Sequence, residues 1–330
     1  MEKKKINCGR SPAGATSFCR RRFLKKFFKK MKKRKVFYIH TLTPYFMILP
    51  AVIVLILIAI YPMVFSFWVS LHRWYLGRPH LFLFIGLENY YTLIFKDSVF
   101  RRAFLNTLVL VGVCIPVEFA LGTMLAVLLN RDDIKGKKIF RVCLIMPVVI
   151  TPVVAGVLWK FQFHPFYGII NYFISLVGGK GIQWLADPRF ALPSVMIVDI
   201  WQWTPFVLLV LYAGLLSLPR EPFEAAKIDG ASEWQLLKHL TIPLLIPIIV
   251  VVLLIRTMDI IKVFDTVYVL TRGGPGDATE VLTLYNFRVG LNYFYMGRAA
   301  TISWIIAIFV ILLAQLFFRI LGTEFYKKRT

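Results

Sequence analysis

Long apolar runs separated by short polar breaks make up most of this chain. Six of them lie near Phe46–Leu71, Phe104–Leu129, Phe140–Trp159, Leu192–Ser217, Leu244–Ile261 and Ala299–Leu321. Each approaches the roughly 20 apolar residues that one helical crossing of a hydrocarbon core requires. The pattern predicts an all-α, polytopic membrane protein with about six transmembrane helices. Pro147 and Pro152 weaken the third run as one straight helix, and Arg256 and Asp259 do the same for the fifth.

Composition agrees: 58% of the 330 residues are hydrophobic, and the mean hydropathy is +0.69. The net charge of +23 would suit a nucleic-acid binder, but its distribution does not. Basic residues crowd the first 35 positions, from Lys3-Lys4-Lys5 to Arg34-Lys35, with Glu2 as the only acid among them. Such an excess flanks first spans on the cytoplasmic side, so the N-terminus is expected inside. An even span count then puts Lys327-Lys328-Arg329, the 131–138 loop and the loop around Glu224 inside as well. Arg101 and Arg102 fall on the outer side, against the rule. The expected organisation is a basic cytoplasmic tail over 1–45, a transmembrane domain over 46–321 and a short cytoplasmic tail over 322–330. Within the first tail, Phe23, Leu24, Phe27, Phe28 and Met31 interleave with lysines. They read either as a helix lying on an anionic leaflet or as an unstructured flank.

Catalytic and metal signatures are missing. Cys8, Cys19, Cys114 and Cys143 form no CxxC pair, and the five histidines form no HExxH or cluster. There is no GxSxG elbow. The runs Gly178-Gly179-Lys180-Gly181 and Gly273-Gly274-Pro275-Gly276 do not match a nucleotide-cradling GxxxxGK[ST] loop and read as turns. No cofactor is expected on this chain, and any energy for uphill transport must come from another polypeptide or an ion gradient.

One polar segment stands out between the fourth and fifth apolar runs, over 218–243. Pro219 and Pro222 suit the first turn of a helix, and Glu224 lies favourably near its positive end. Asp229-Gly230 ends or bends that helix, because glycine accepts the left-handed conformation of a tight reversal. Ser232 and Gln235 have the spacing of a capping box for a second short helix with Leu236, Leu237 and Leu240 on its apolar face. Geometry alone leaves two readings: a protrusion for a partner protein to grip, or an amphipathic connector on the membrane surface.

The run Glu224-Ala225-Ala226-x-x-Asp229-Gly230-Ala231-x-x-Trp234, with Leu237, Pro243 and Pro247 beyond, resembles the EAA loop of ABC importer permeases. Leu237 stands where the family often has Phe, and Ile242 where it often has Leu. The resemblance implies a coupling helix that docks in a cleft of a cytoplasmic ATPase, with Glu224 and Gly230 as the critical positions. Over roughly 45–325 the chain is similar to the carbohydrate-uptake permeases, including those for maltose, trehalose and glycerol-3-phosphate. The residues that carry this are Gly86-Leu87-x-Asn89-Tyr90, Trp184-Leu185-Ala186-Asp187-Pro188, Asp199 to Phe206 and Leu270-Thr271-Arg272-Gly273-Gly274-Pro275. The implied partners are a homologous second permease in a heterodimer, an ABC ATPase dimer that uses ATP and Mg, an extracytoplasmic solute-binding protein and the lipid bilayer. No nucleic acid is implied.

Five residues are candidates for the substrate pathway. Glu118 lies mid-span, where a carboxylate is costly and faces either a wet cavity or a hydrogen-bonding neighbour. Asp199 reads as nearer the outer end of its span. Trp203 sits beside Pro205, where a kink would present the indole to a sugar's C–H face; Trp201 and Tyr212 are its aromatic neighbours, and such residues also serve as interfacial anchors. Asp259 is three residues from Arg256 and is expected to pair with it. Importers of non-sugar solutes, a gradient-driven carrier and an intramembrane enzyme are the rival readings.

Overall fold

Prolines and side-chain caps set the starts of several helices in the computed structural model, which describes residues 45–78, 80–131 and 135–327. The lysine-rich amphipathic segment, Cys8, Cys19 and the last three residues lie outside the described residues. The chain divides into two compact units, one ending at Phe65 and the other beginning at Ser66. Helix α1 (Tyr45–Ser70) forms the described part of the first unit and the opening turn of the second. Pro62 has no N–H to offer Ile58, and the helix widens into a π turn over Ile56–Ile60 just before it.

The second unit opens with an antiparallel hairpin of β1 (His72–Trp74) and β2 (Phe82–Phe84), in which Arg73 pairs with Leu83. A short helix α2 (Glu88–Tyr91) follows. Helix α3 (Ser98–Asn130) starts at Asp97, whose side chain accepts from the Phe100 N–H. The third apolar run is indeed broken: α4 (Lys137–Val149) and α5 (Pro152–Gln162) meet at 101° across Ile150 and Thr151. Pro152 starts the second piece, as expected where a missing N–H costs nothing. After α6 (Ile169–Leu176), the long helix α7 (Pro188–Leu216) is capped by Asp187. Two short helices, α8 (Glu221–Ile228) and α9 (Glu233–Leu236), lead to α10 (Ile242–Ile261). Helices α11 (Asp265–Leu270), α12 (Leu282–Phe287) and α13 (Met296–Lys327) complete the chain. Among the described residues five helices are long and apolar enough to cross a membrane, six if the bent pair counts as one. Contrary to expectation, Arg256 and Asp259 do not interrupt the fifth run, which is helical throughout α10.

Helix α7 packs along α3 and against α4, while α10 packs against α13. At Gly122 of α3 an added Cβ would lie 2.7 Å from Val207, so the missing side chain lets α7 approach closely. Three apolar cores form, around Leu110, Val195 and Ile260, around Ala126, Leu208 and Val252, and around Leu93, Leu282 and Ile302. Outward faces carry exposed Leu105, Met124 and Ile311, as a lipid-contacting surface requires.

The loop from Thr271 to Val281 is tied to α3. Asn106 donates to the carbonyls of Asp277, Ala278 and Glu280, and Thr107 Oγ1 accepts from the Leu282 N–H. Both glycine runs lie in turns, with positive φ at Gly178, Gly273 and Gly276. Glu280 is fully buried, 3.0 Å from Arg288. Burial pushes its carboxyl up from 4.5 to about 7; Arg288 opposes this and Asp277 adds to it. The folded state therefore holds a proton that the unfolded chain has lost between those values. The stabilisation is full below pH 4.5 and disappears as pH rises through about 7. Glu280→Gln should flatten this dependence, raising the melting temperature relative to the parent at pH 8 more than at pH 5 in detergent thermal unfolding. Equal shifts at both pH values would refute the assignment.

Candidate functional site

Two arrangements in the second unit carry the candidate residues. The first is the segment between α7 and α10. Helix α8 begins with Pro222 in its first turn and Glu221 and Glu224 near its N-terminus. It ends in a Schellman motif: the Ala231 N–H donates to Ala226 and the Gly230 N–H to Lys227, with Gly230 at φ +79°. Space does not require glycine here, since nothing lies within 4 Å of an added Cβ; the backbone conformation does. Ser232 then caps α9 reciprocally. Its N–H donates to Gln235 Oε1 at 2.8 Å, and its Oγ accepts from the Gln235 N–H at 3.3 Å. A π turn over Leu237–Thr241 precedes Pro243, which cannot donate to His239.

Burial divides this segment into an anchored side and a free one. Leu236 and Thr241 are buried, and Leu237, Leu240 and Pro243 half-buried, so they root the segment. Glu224, Ala225, Asp229 and Gly230 are exposed, and Ala226 and Ala231 are half-buried. At the tip stand two large apolar side chains, Ile228 at 87% and Trp234 at 70% exposure. Ile228 escaped the sequence reading. Its signal was an isoleucine set between Lys227 and Asp229 with only alanines, Ala225 and Ala231, as apolar neighbours one helical turn away. A rigid reversal with an apolar tip and acidic flank is suited to insertion into a partner's cleft.

The second arrangement is a buried charge cluster across α3, α7 and α10. Arg256 Nε donates to Glu118 Oε2 at 2.6 Å and Nη2 to Glu118 Oε1 at 2.9 Å, a bidentate pair. The same Nη2 donates to Asp199 Oδ2. All three side chains are at most 3% exposed. The Trp203 ring lies 5.1 Å from the guanidinium, which meets its π face. Arg256 therefore pairs with two other helices and not with Asp259, which is exposed. Asp199 lies in the first half of α7, with its side chain buried against Arg256. Glu118 likewise lines no open space in this conformation.

Tyr212 is buried as well, with Arg141 of α4 donating to its hydroxyl and lying over its ring. Trp203 is half-buried, packed edge-on to Phe206, and Trp201 meets Trp159. Gln202, also missed by the sequence reading, donates to the Ile150 carbonyl at 2.9 Å and so satisfies an acceptor freed at the α4–α5 break. The structure thus gathers Glu118, Asp199 and Trp203 around Arg256, leaves Tyr212 to a separate contact with Arg141, and sets Asp259 apart.

Residues 95–323 match the family model described as the inner membrane component of binding-protein-dependent transport systems. The trehalose/maltose transport system permease protein MalF of Thermococcus litoralis is 36% identical over 77% of this chain and 83% of its own length. The trehalose transport system permease protein SugA of Mycobacterium tuberculosis is 33% identical over 84% of this chain and 88% of its own. A chain in the crystal structure of the bacterial alginate ABC transporter, solved with an alginate pentasaccharide-bound periplasmic protein, superposes with a TM-score of 0.72. It shares 25% identity over 83% of this chain and 92% of that one.

Proposed function

The chain belongs to the family of inner membrane components of binding-protein-dependent transport systems, and from that premise we propose that it is one permease subunit of an ATP-driven sugar importer. The observation that carries the coupling role is the exposed reversal at Gly230, held by a Schellman motif and a capping box. In this reading the tip inserts into a cytoplasmic ABC ATPase dimer, which binds ATP and Mg; this chain supplies no ATPase site. A homologous second permease completes the pathway, and an extracytoplasmic binding protein delivers the solute. The sugar assignment draws on relatives named for trehalose and maltose and on the alginate-bound neighbour. Counting the bent pair as one crossing, and with the basic tail inside, both termini and the Gly230 loop are cytoplasmic.

ATP that binds the closed ATPase more tightly than the open one shifts the permease equilibrium, and the loop transmits that difference. Asp259 is the pathway candidate with an exposed carboxylate for hydroxyl groups, and Trp203 offers only the part of its indole that Arg256 and Phe206 leave uncovered.

A mild-detergent pull-down of the tagged chain tests this reading. A Walker-motif ATPase and a second six-span permease should co-purify with it. The double variant Ile228→Glu/Trp234→Glu should lose the ATPase by roughly tenfold or more while keeping the permease, as expected when apolar anchors are removed from an interface. A chain recovered alone that moves solute in liposomes without ATP would overturn the reading.

A further inference from the structure

The hairpin side of the second unit carries a charge excess that the coupling role does not use. Residues 71–102 and 262–298 hold nine Lys and Arg (Arg73, Arg78, Lys96, Arg101, Arg102, Lys262, Arg272, Arg288 and Arg298) against five acids (Glu88, Asp97, Asp265, Asp277 and Glu280). In the topology proposed above this is the outer face, where the positive-inside tendency disfavours basic residues.

Within this surface is a pocket of about 120 Å³ lined by Arg73, Trp74, Glu88, Asn89, Tyr295 and Arg298, among others. Small-molecule sites begin at roughly 300 Å³, so the pocket suits one side chain and not a sugar ring with its hydroxyls. Arg73 is paired with Glu88 at 2.8 Å. Arg298 lies 5.3 Å from the Tyr295 ring centre and, among the described residues, has no acidic partner. The pocket therefore has one guanidinium in excess, set between aromatic walls.

Its frame is fixed before any partner arrives. Asn89 donates to the carbonyls of Ser70 and His72, and Thr301 of α13 donates to Ser70 as well. Arg, Trp and Tyr in a preformed pocket are the residue types that dominate protein interfaces.

We propose that this pocket receives an acidic side chain on the face of the solute-binding protein, with the surrounding arginines steering its approach. The proposal rests on the importer reading above. An outer surface of one sign raises the rate of encounter with a partner of the other, and a desolvated charge pair at its centre fixes register.

The test uses the whole transporter in nanodiscs and the solute-binding protein that supports its uptake, with affinity measured at low and high salt. Arg73→Glu and Arg298→Glu should each weaken binding by roughly tenfold or more and flatten its salt dependence. Exchanging the docked acid of the binding protein for Arg should restore affinity to the Glu variants. Both variants should retain the second permease and the ATPase. If one does not, Arg298→Gln replaces it and should weaken binding several-fold. Unchanged affinity in variants that still hold their ATPase would overturn the docking proposal and leave the importer reading standing. Loss of affinity for phosphatidylglycerol vesicles with binding-protein affinity intact would also overturn it, assigning the pocket to a lipid headgroup. A parent chain without an ATPase would sink the importer reading and the docking proposal with it.

Discussion

Arg256→Met should destabilise the detergent-solubilised protein by about 3–5 kcal/mol, the usual consequence of removing one partner from a buried ion pair. The loss follows from what the substitution leaves behind. Glu118 of α3 and Asp199 of α7 would be left buried without their shared donor. Arg256→Lys should recover only part of the stability, since an ammonium cannot present the planar fork that grips both oxygens of Glu118. Asp199→Asn should cost less than either, because one guanidinium then serves one carboxylate. Most informative is the triple replacement Glu118→Leu/Asp199→Leu/Arg256→Met, which should return to within about 1 kcal/mol of the parent if the cluster serves packing alone. Denaturant titration of the four variants measures all of this. A mild effect of Arg256→Met would mean that water reaches the cluster.

Gly230→Val should abolish substrate-stimulated ATP hydrolysis in the assembled transporter, and Gly230→Asn should retain much of it. The left-handed conformation costs an ordinary residue about 1–2 kcal/mol and a β-branched one more, while asparagine tolerates it. A Cβ meets nothing at this position, so the difference between the variants reports backbone conformation and not collision. Paying that cost, the loop relaxes by opening the reversal, which moves Ile228 and Trp234 apart and spoils the tip. Basal hydrolysis by the ATPase should persist in both variants. Equal loss in Val and Asn would show that the glycine is needed for close contact with the partner and not for the turn.

These two sites were unequally legible in the sequence. The loop was readable because its determinants are local. Ser232 caps with Gln235 three residues on, and Gly230 closes a motif that spans Ala226 to Ala231. The apolar runs were readable for the same reason, as was the break between Pro147 and Pro152. The charge cluster was not. Arg256 finds Glu118 at a separation of 138 residues and Asp199 at 57, and no local period encodes such pairings. Reading Arg256 with its near neighbour Asp259 failed because helical spacing permits a pair without requiring one, and the buried face of α10 offered two better partners. The pocket beside Arg298 was hidden similarly, since its walls come from the hairpin, α2 and the start of α13.

Helix α3 holds the two sides of the unit at different heights. Asn106 binds three carbonyls of the Thr271–Val281 loop, and Glu118 lies about 18 Å further along the axis, locked to Arg256. If Glu118 acts as the fulcrum, the stretch between them is a lever arm with one weak point, Pro116, which has no N–H to offer the Gly112 carbonyl. A tilt of roughly ten degrees would carry Asn106, and the loop it grips, about 3 Å sideways.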